Sequence, residues 1–212
     1  MFCLNSISLL LKKKYKQKIA CSILSQNCVG GVIYNMLGLK FSSPTINMFI
    51  RGQNFLKFCK NPEKYLNADA KPICDNYKEP NNSGVSYHLI RVLDIDLCAM
   101  HCKSGQEACQ AYNRRKARFD CNNFVIIANT WDLMNNLEWI KEVLSYRNSI
   151  VFGTLDGLDD YENYIKLSPD YYYADEFNSV HPALTAFSEK KKGFKNFEVE
   201  FDVWNWLLRM SK

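Results

Sequence analysis

Three groupings of side chains in this sequence have the types and spacing to do chemistry. The first is the run Ser25-Gln26-Asn27-Cys28-Val29-Gly30-Gly31. A polar turn behind an apolar run offers the free N–H groups and partial positive charge of a helix N-terminus. Paired glycines let a phosphate or carboxylate approach the backbone. Neither G-K-[ST] nor G-x-G-x-x-G is present, so the turn carries no nucleotide fingerprint. We take Ser25, Gln26, Asn27, Cys28, Gly30 and Gly31 as candidate substrate-binding residues; the plain alternative is a well-capped structural turn. Cys28 is a poor nucleophile candidate, because no adjacent base is identifiable.

The second grouping lies on a helix from Ser104 to about Phe119. At 100° per residue, Ala108, Ala111, Tyr112 and Phe119 share one apolar face, and Arg115 falls in its middle. Arg114 and Arg118 sit four apart on the flank. A guanidinium on a core-facing side must meet a carboxylate, a set of carbonyls or an anionic ligand. Arg115 and Arg118 are therefore candidate anion-binding residues, with a structural ion pair as the plain alternative.

The third grouping runs from Asp94-Ile95-Asp96 to His101. Asp-x-Asp on a strand puts both carboxylates on one face, as in the metal and nucleotide-sugar motif of many glycosyltransferases. His101 stands where a strand passes into the capped helix, a position that suits an acid/base residue. Cys98, His101, Cys102 and Cys109 match no standard zinc spacing, and no metal is expected. Asn129-Thr130-Trp131-Asp132 follows a buried strand, and Asp132 fits either an acid/base role or, by its position, the N-cap of the next helix.

The elements that must position these residues alternate along the chain. Ile19 to Leu24 reads as a strand, followed by a tight turn and a helix to Leu37 with Gly38 as its stop. Ile46 to Ile50 is a second strand, and a helix from about Gln53 to Lys60 ends at Asn61-Pro62. Residues 67–84 read as a loop, and Tyr87 to Met100 as one or two strands. Ser104-Gly105-Gln106-Glu107 is a capping box. Phe124 to Ala128 is a strand buried on both faces; Leu133 to Leu144 is a helix, Ser149 to Phe152 a strand, and Phe201 to Leu208 a closing helix. The pattern implies an α/β fold: a layered, mostly parallel sheet with crossover helices and an irregular C-terminal part rich in aromatics (Tyr161, Tyr164, Tyr171 to Tyr173, Phe177, Phe187).

Composition narrows the class further. The chain has 212 residues, 47% of them hydrophobic, enough for a buried core. Its nine cysteines, odd in number and irregular in spacing, do not form a secreted disulfide framework, so a reducing cytoplasm is expected. Net charge is +5 but uneven, with seven acids against one lysine in residues 155–176. Basic runs at Lys12 to Lys18 and Lys103 to Arg118 call for an anionic partner. They are separated and accompany no helix-turn-helix or RNP motif, so nucleic acid is not expected. Leu4, Ile7, Leu10 and Leu11 form an apolar stripe ahead of the lysines, which makes residues 1–17 a basic amphipathic helix able to touch an anionic membrane surface. Residues 18–212 are expected to form a single α/β domain.

Ser25-Gln26-Asn27-Cys28 with Gly30-Gly31, Leu39 to Phe49 with Ser43-Pro44-Thr45, and His101 ahead of Ala111-Tyr112-Asn113-Arg114-Arg115-x-x-Arg118 resemble one family. It is a bacterial domain of unknown function that goes under the label of exopolysaccharide or capsular polysaccharide biosynthesis protein. The likeness covers about residues 18–153. Relatives show an aromatic at Val29, tryptophan at Tyr112, an aromatic at Cys102 and an acid at Asn129. The resemblance implies an α/β fold and a role in building surface glycans.

The expected function is accordingly a cytoplasmic enzyme of capsule, exopolysaccharide or lipopolysaccharide-glycan assembly, peripheral to the inner membrane face at most and glycosyltransferase-like. The backbone of Gly30-Gly31, with Arg115 and Arg118, would hold a nucleotide-sugar or other anionic donor. His101 or Asp132 would take the proton of a glycan acceptor. The alternatives are transfer of an acyl or phospho-substituent to the same glycan, or a non-catalytic glycan- or nucleotide-binding scaffold.

Overall fold

A computed structural model describes residues 14–78, 86–167 and 203–211. In chain order the elements are β1 (Ser22–Ser25), α1 (Val29–Leu37), β2 (Met48–Phe49), α2 (Gly52–Lys60), α3 (Pro62–Leu66), β3 (Lys71–Lys78), β4 (Ser86–Val92) and β5 (Ile95–Ala99). They continue with α4 (Gly105–Lys116), β6 (Phe124–Asn129), α5 (Leu137–Leu144), β7 (Ser149–Gly153), β8 (Tyr164–Lys166) and α6 (Val203–Met210). Most of the expected N-terminal helix, and Tyr171 to Tyr173, Phe177 and Phe187, lie outside the described residues.

The fold is α/β. Four strands form a parallel sheet in the order β1-β6-β7-β8, and β6 and β7 are joined by the helix α5. Beside the expected parallel sheet and its helices, β2-β5-β4-β3 form a second, antiparallel sheet of four strands. This sheet, with α2, α3 and α4, occupies the connection from β1 to its neighbour β6.

Alternating residues of the parallel sheet feed two cores, as a period of two requires. Ile23, Val125, Ile127, Ile150 and Phe152 face α1 and α6, packing on Ile33, Leu37, Trp204 and Leu207. Leu24, Ile126, Ala128 and Val151 face the other way, onto Phe55, Ile140 and the antiparallel-sheet residues Ile90, Val92, Ile95 and Leu97. One core therefore joins the two sheets. Each fully buried Ile or Leu here contributes about 1.5–3 kcal/mol of transfer free energy.

Several local signals acted as expected. Gly38 ends α1 in the left-handed conformation at φ 61°. Ser104 accepts from the Glu107 N–H at 3.1 Å, while the Glu107 carboxylate accepts from the Lys103 N–H at 2.7 Å. Three readings are corrected. Residues 67–84 are not all loop, since β3 pairs with β4; almost every β3 residue is exposed, so no apolar period marks it. The helix read from Leu133 starts at Leu137, because Met134 (φ 58°) and Asn135 (φ 50°) are left-handed. And α4 stops at Lys116, with the Phe119 ring beyond it packed at a tilt against Phe124, 5.4 Å between centroids.

Candidate functional site

The carboxyl ends of β1 and β6 lie side by side, with Ser25 in register with Ile127. The polar residues that follow each strand therefore meet. Asp132 is at their centre, 6% exposed. Its Oδ2 accepts from Asn27 Nδ2 at 3.1 Å and from Asn129 Nδ2 at 2.7 Å. The Asn129 Oδ1 accepts the Asp132 backbone N–H at 2.7 Å, so one asparagine clamps both ends of that residue. Asp132 is not the helix cap: Asn136 takes that place, accepting the Trp139 N–H at 3.1 Å. The carboxylate takes part in the polar cluster through Asn27 and Asn129.

The rest of the cluster is fastened by backbone. Gln26 Oε1 accepts the Asn129 N–H at 3.2 Å, and the Gln26 carbonyl accepts the Ile50 N–H at 2.8 Å. Thr45 Oγ1 donates to the Ser25 carbonyl at 3.3 Å. The Asp132 carbonyl accepts the Gly52 N–H at 2.9 Å, tying the start of α2 to the same point. Gly52 has φ 43°, and the Trp139 ring fills the space a side chain would take, with Cζ3 2.6 Å from a Cβ there.

Two buried groups in the cluster have no hydrogen-bond partner among the described residues: Gln26 Nε2 and Thr130 Oγ1, each on a residue that is 0% exposed. An unmade buried hydrogen bond costs about 1–3 kcal/mol. Bound water or a guest is what satisfies such groups. Cys28, half-buried beside them, has its thiol pushed up to about 11 by burial and then by the Asp132 charge. At neutral pH it is a thiol, unsuited to covalent catalysis.

The paired glycines do a different job from the one expected of them. Both are buried. A Cβ on Gly30 would lie 2.5 Å from Ser25 Oγ, and one on Gly31 would lie 2.9 Å from Asn47 Oδ1. They let α1 press onto β1 and onto the 46–47 segment. The helix's early amides are also engaged, Val29 N–H by Asn27 Oδ1 at 3.0 Å and Gly30 N–H by Ser25 Oγ at 3.2 Å.

Arg115 meets the second of the three partners foreseen for it, a carbonyl. It donates to the Ile46 oxygen at 2.8 Å and lies 5.3 Å from the Phe41 ring centroid. Among the described residues no carboxylate pairs with it. Burial is the main influence lowering its pKa; Cys102 opposes this, and Arg114 and Arg118 add to it. Ile46 stands between Arg115 and Gly31, its carbonyl toward the guanidinium and its Cγ2 3.1 Å from where a Gly31 Cβ would be. Arg118 has a buried Nε without a partner among the described residues.

His101 is exposed on the loop between β5 and α4, with no hydrogen bond or ion pair among the described residues. No contact joins it to Asp132. The carboxylates of Asp94-Ile95-Asp96 are held locally: Asp94 by Lys57 at 3.1 Å and Lys64 at 2.9 Å, and Asp96 by Arg91 at 2.6 Å. That accounts for both as ion pairs on the antiparallel sheet. No group of three metal-ligating side chains occurs among the described residues.

Asn129, Thr130 and Thr45 belong to the cluster and were not candidates from the sequence. The available signal was the run N-T-x-D directly after a strand buried on both faces.

Residues 2–208 match the model of a family described as "Domain of unknown function (DUF1919)". The chain belongs to this family. One similar chain is an uncharacterized protein of Haemophilus influenzae, 27% identical over 132 residues. That alignment covers 62% of this chain and 60% of the relative's length. The DUF1919 match includes the whole Asp132 cluster, and among the described residues no helix is long and apolar enough to cross a membrane.

Proposed function

We propose that the protein is a glycosyltransferase-like enzyme of surface-polysaccharide assembly, with Asp132 as the base that takes the acceptor hydroxyl's proton. The observation that carries this reading is the Asp132 cluster itself. A carboxylate oriented by two asparagine amides sits at the carboxyl edge of a parallel sheet, beside the unpartnered Gln26 Nε2 and Thr130 Oγ1. In α/β folds this edge is where ligands bind. Carboxylates and carboxamides with spare hydrogen-bonding capacity are the groups that hold sugar hydroxyls. The polysaccharide context comes from the resemblance described above.

In this mechanism Asn27 and Asn129 hold the Asp132 carboxylate in one orientation, so that it accepts the hydroxyl proton as the acceptor oxygen attacks the donor's anomeric carbon. The bond from that carbon to the phosphate oxygen breaks, the nucleoside diphosphate leaving with the electron pair. Gln26 and Thr130 orient the sugar through their unpartnered atoms. Arg115 and Arg118 supply positive charge for the anionic part of the donor, while the Gly30-Gly31 turn shapes the floor by close packing. His101, exposed and distinct from the cluster, remains a second proton carrier only for a donor or acceptor that reaches it.

The test is calorimetric titration with a panel of sugar nucleotides, joined to a transfer assay, on the parent and on Asp132→Asn. Sugar-nucleotide binding should survive the substitution within a few fold, while transfer falls about a hundredfold or more. Unchanged transfer in Asp132→Asn, or no binding by any member of the panel, refutes the proposal. Glycan mass from a strain lacking the gene separates the alternatives, showing a missing sugar or a missing substituent.

A further inference from the structure

The opposite, amino edge of the parallel sheet carries a cleft of about 440 Å³. It lies between the residues just before β6 (Asn122, Asn123), the turn before β7 (Arg147, Asn148) and the end of α6 (Arg209, Met210), with Phe124 in its wall. That volume is within the range of small-molecule sites.

Its charge is unspent. Arg147 and Arg209 both line the cleft, both are exposed, and neither pairs with a carboxylate among the described residues. Arg147 follows the end of α5, where a cation often serves helix carbonyls. Here those carbonyls already have donors. Ser145 N–H donates to Lys141 O at 3.0 Å, Ser145 Oγ to Glu142 O at 2.6 Å, Ser149 Oγ to Val143 O at 2.7 Å and Asn163 Nδ2 to Leu144 O at 2.9 Å. Arg147 is not needed as a cap. The acid of the adjoining loop, Asp120, turns its Oδ1 onto the Asn122 N–H at 2.9 Å. The side-chain amides of Asn122 and Asn123 make no hydrogen bond among the described residues, so they add neutral donors beside the two guanidinia.

We propose that this cleft is an anion subsite for a phosphorylated small molecule. Its phosphate lies between Arg147 and Arg209, and its remainder rests against Phe124 and Met210. Two planar guanidinia match a phosphate dianion in charge and in bidentate geometry, better than they match a single carboxylate. The subsite stands apart from the Asp132 cluster, at the other edge of the same sheet, and does not depend on the reaction proposed there.

The test is calorimetric titration of the full chain with inorganic pyrophosphate at about 0.15 M salt, where remote surface charge is screened. Arg147→Ala and Arg209→Ala should each weaken binding about tenfold, the loss of a charge-assisted pair. Asp132→Asn and Lys71→Ala should leave it unchanged. A second arm measures co-sedimentation with phosphatidylcholine vesicles containing phosphatidylglycerol. Capture that both arginine variants lose, and that pyrophosphate competes away, supports the subsite with a lipid headgroup as the phosphate source. Capture absent or indifferent to the variants, with pyrophosphate binding still arginine-dependent, supports the subsite with a soluble ligand. No pyrophosphate binding at millimolar concentration, or binding equal in the parent and both arginine variants, overturns the proposal, as does loss of binding in Asp132→Asn.

Discussion

Replacing Thr130 by valine should stabilise the protein and weaken the sugar binding proposed for the carboxyl edge. Thr130 is 0% exposed, and its hydroxyl has no hydrogen-bond partner among the described residues. Its backbone N–H, which donates to the Phe152 carbonyl at 2.9 Å, is untouched by the change. A buried hydroxyl left without a partner costs about 1–3 kcal/mol, and valine removes that cost while keeping the branched shape. Against this, the spot is tight: a Cβ on Gly153 would lie 2.6 Å from Thr130 Oγ1, so the slightly larger methyl takes back part of the gain. The net expectation is about 1 kcal/mol of added stability, or a rise of about 2–4 °C in Tm for a chain of this size. Denaturant unfolding with an unchanged m-value reads the gain. Titration with a bound sugar nucleotide should show affinity falling about three- to tenfold, the worth of one hydrogen bond. A variant less stable than the parent by 1 kcal/mol or so would mean that the hydroxyl is satisfied in the folded state. Greater stability with unchanged affinity would remove Thr130 from the site.

Asn136→Ala deletes the side chain that caps α5 and should cost about 1 kcal/mol in chemical denaturation, with no effect on ligand binding. Asp132→Ala strips the acceptor from both Asn27 and Asn129 and should cost about 2–4 kcal/mol, clearly more than the near-isosteric Asp132→Asn; equal losses would refute the hydrogen-bonding account. Cys28 should alkylate slowly at pH 7 and accelerate steeply above pH 10, as a thiol raised to about 11 requires; rapid labelling at neutral pH, followed by mass spectrometry, would contradict the burial argument. The Lys64 and Lys57 ammonium groups hold the Asp94 carboxyl below its ordinary 3.8, so the unfolded chain binds the proton first as pH falls. That stabilisation is present above about pH 4 and is lost on acidification through the lowered value. Asp94→Asn should therefore flatten the acid limb of a stability-against-pH curve, whereas an identical limb would show the pair to be screened away.

Local chemistry was legible in the sequence wherever one residue type decides the backbone. Gly38 ends a helix because glycine bears the left-handed conformation, and Ser104 starts one because its hydroxyl meets an orphan N–H. Phe124 to Ala128 announced a doubly covered strand through an unbroken apolar run. The exposed strand Lys71–Lys78 announced nothing, since its hydrogen bonds to β4 owe nothing to apolar periodicity. The second sheet was hidden for the same reason: which strands pair is a long-range choice, and the excursion between β1 and β6 contains hairpins that look alike in either topology. Asp132 drew attention as an end-of-strand acid, and of its two readings the cap fails because the left-handed Met134 and Asn135 delay the helix to Asn136.

The twin glycines carry the more general lesson about reading sites from residue types. Glycine is required wherever another group comes close, and the sequence does not say whether that group is a ligand's phosphate or the protein's own serine. At Gly30 it is Ser25 Oγ, which both blocks a Cβ and accepts the Gly30 N–H. The same ambiguity governs Arg115, whose place on an apolar helix face demanded a partner without specifying one, and the partner is a carbonyl of the segment flanking β1. What separates a binding residue from a packing residue is hydrogen-bonding capacity left over after folding. By that measure Gly30 is spent, while Gln26 and Thr130 are not. If the carboxyl edge binds a sugar, substitutions that remove the leftover capacity should cost affinity and spare stability. Substitutions at the spent positions, Gly30→Ala first among them, should cost stability, because the Ser25 hydroxyl 2.5 Å from the new Cβ must move and release two hydrogen bonds.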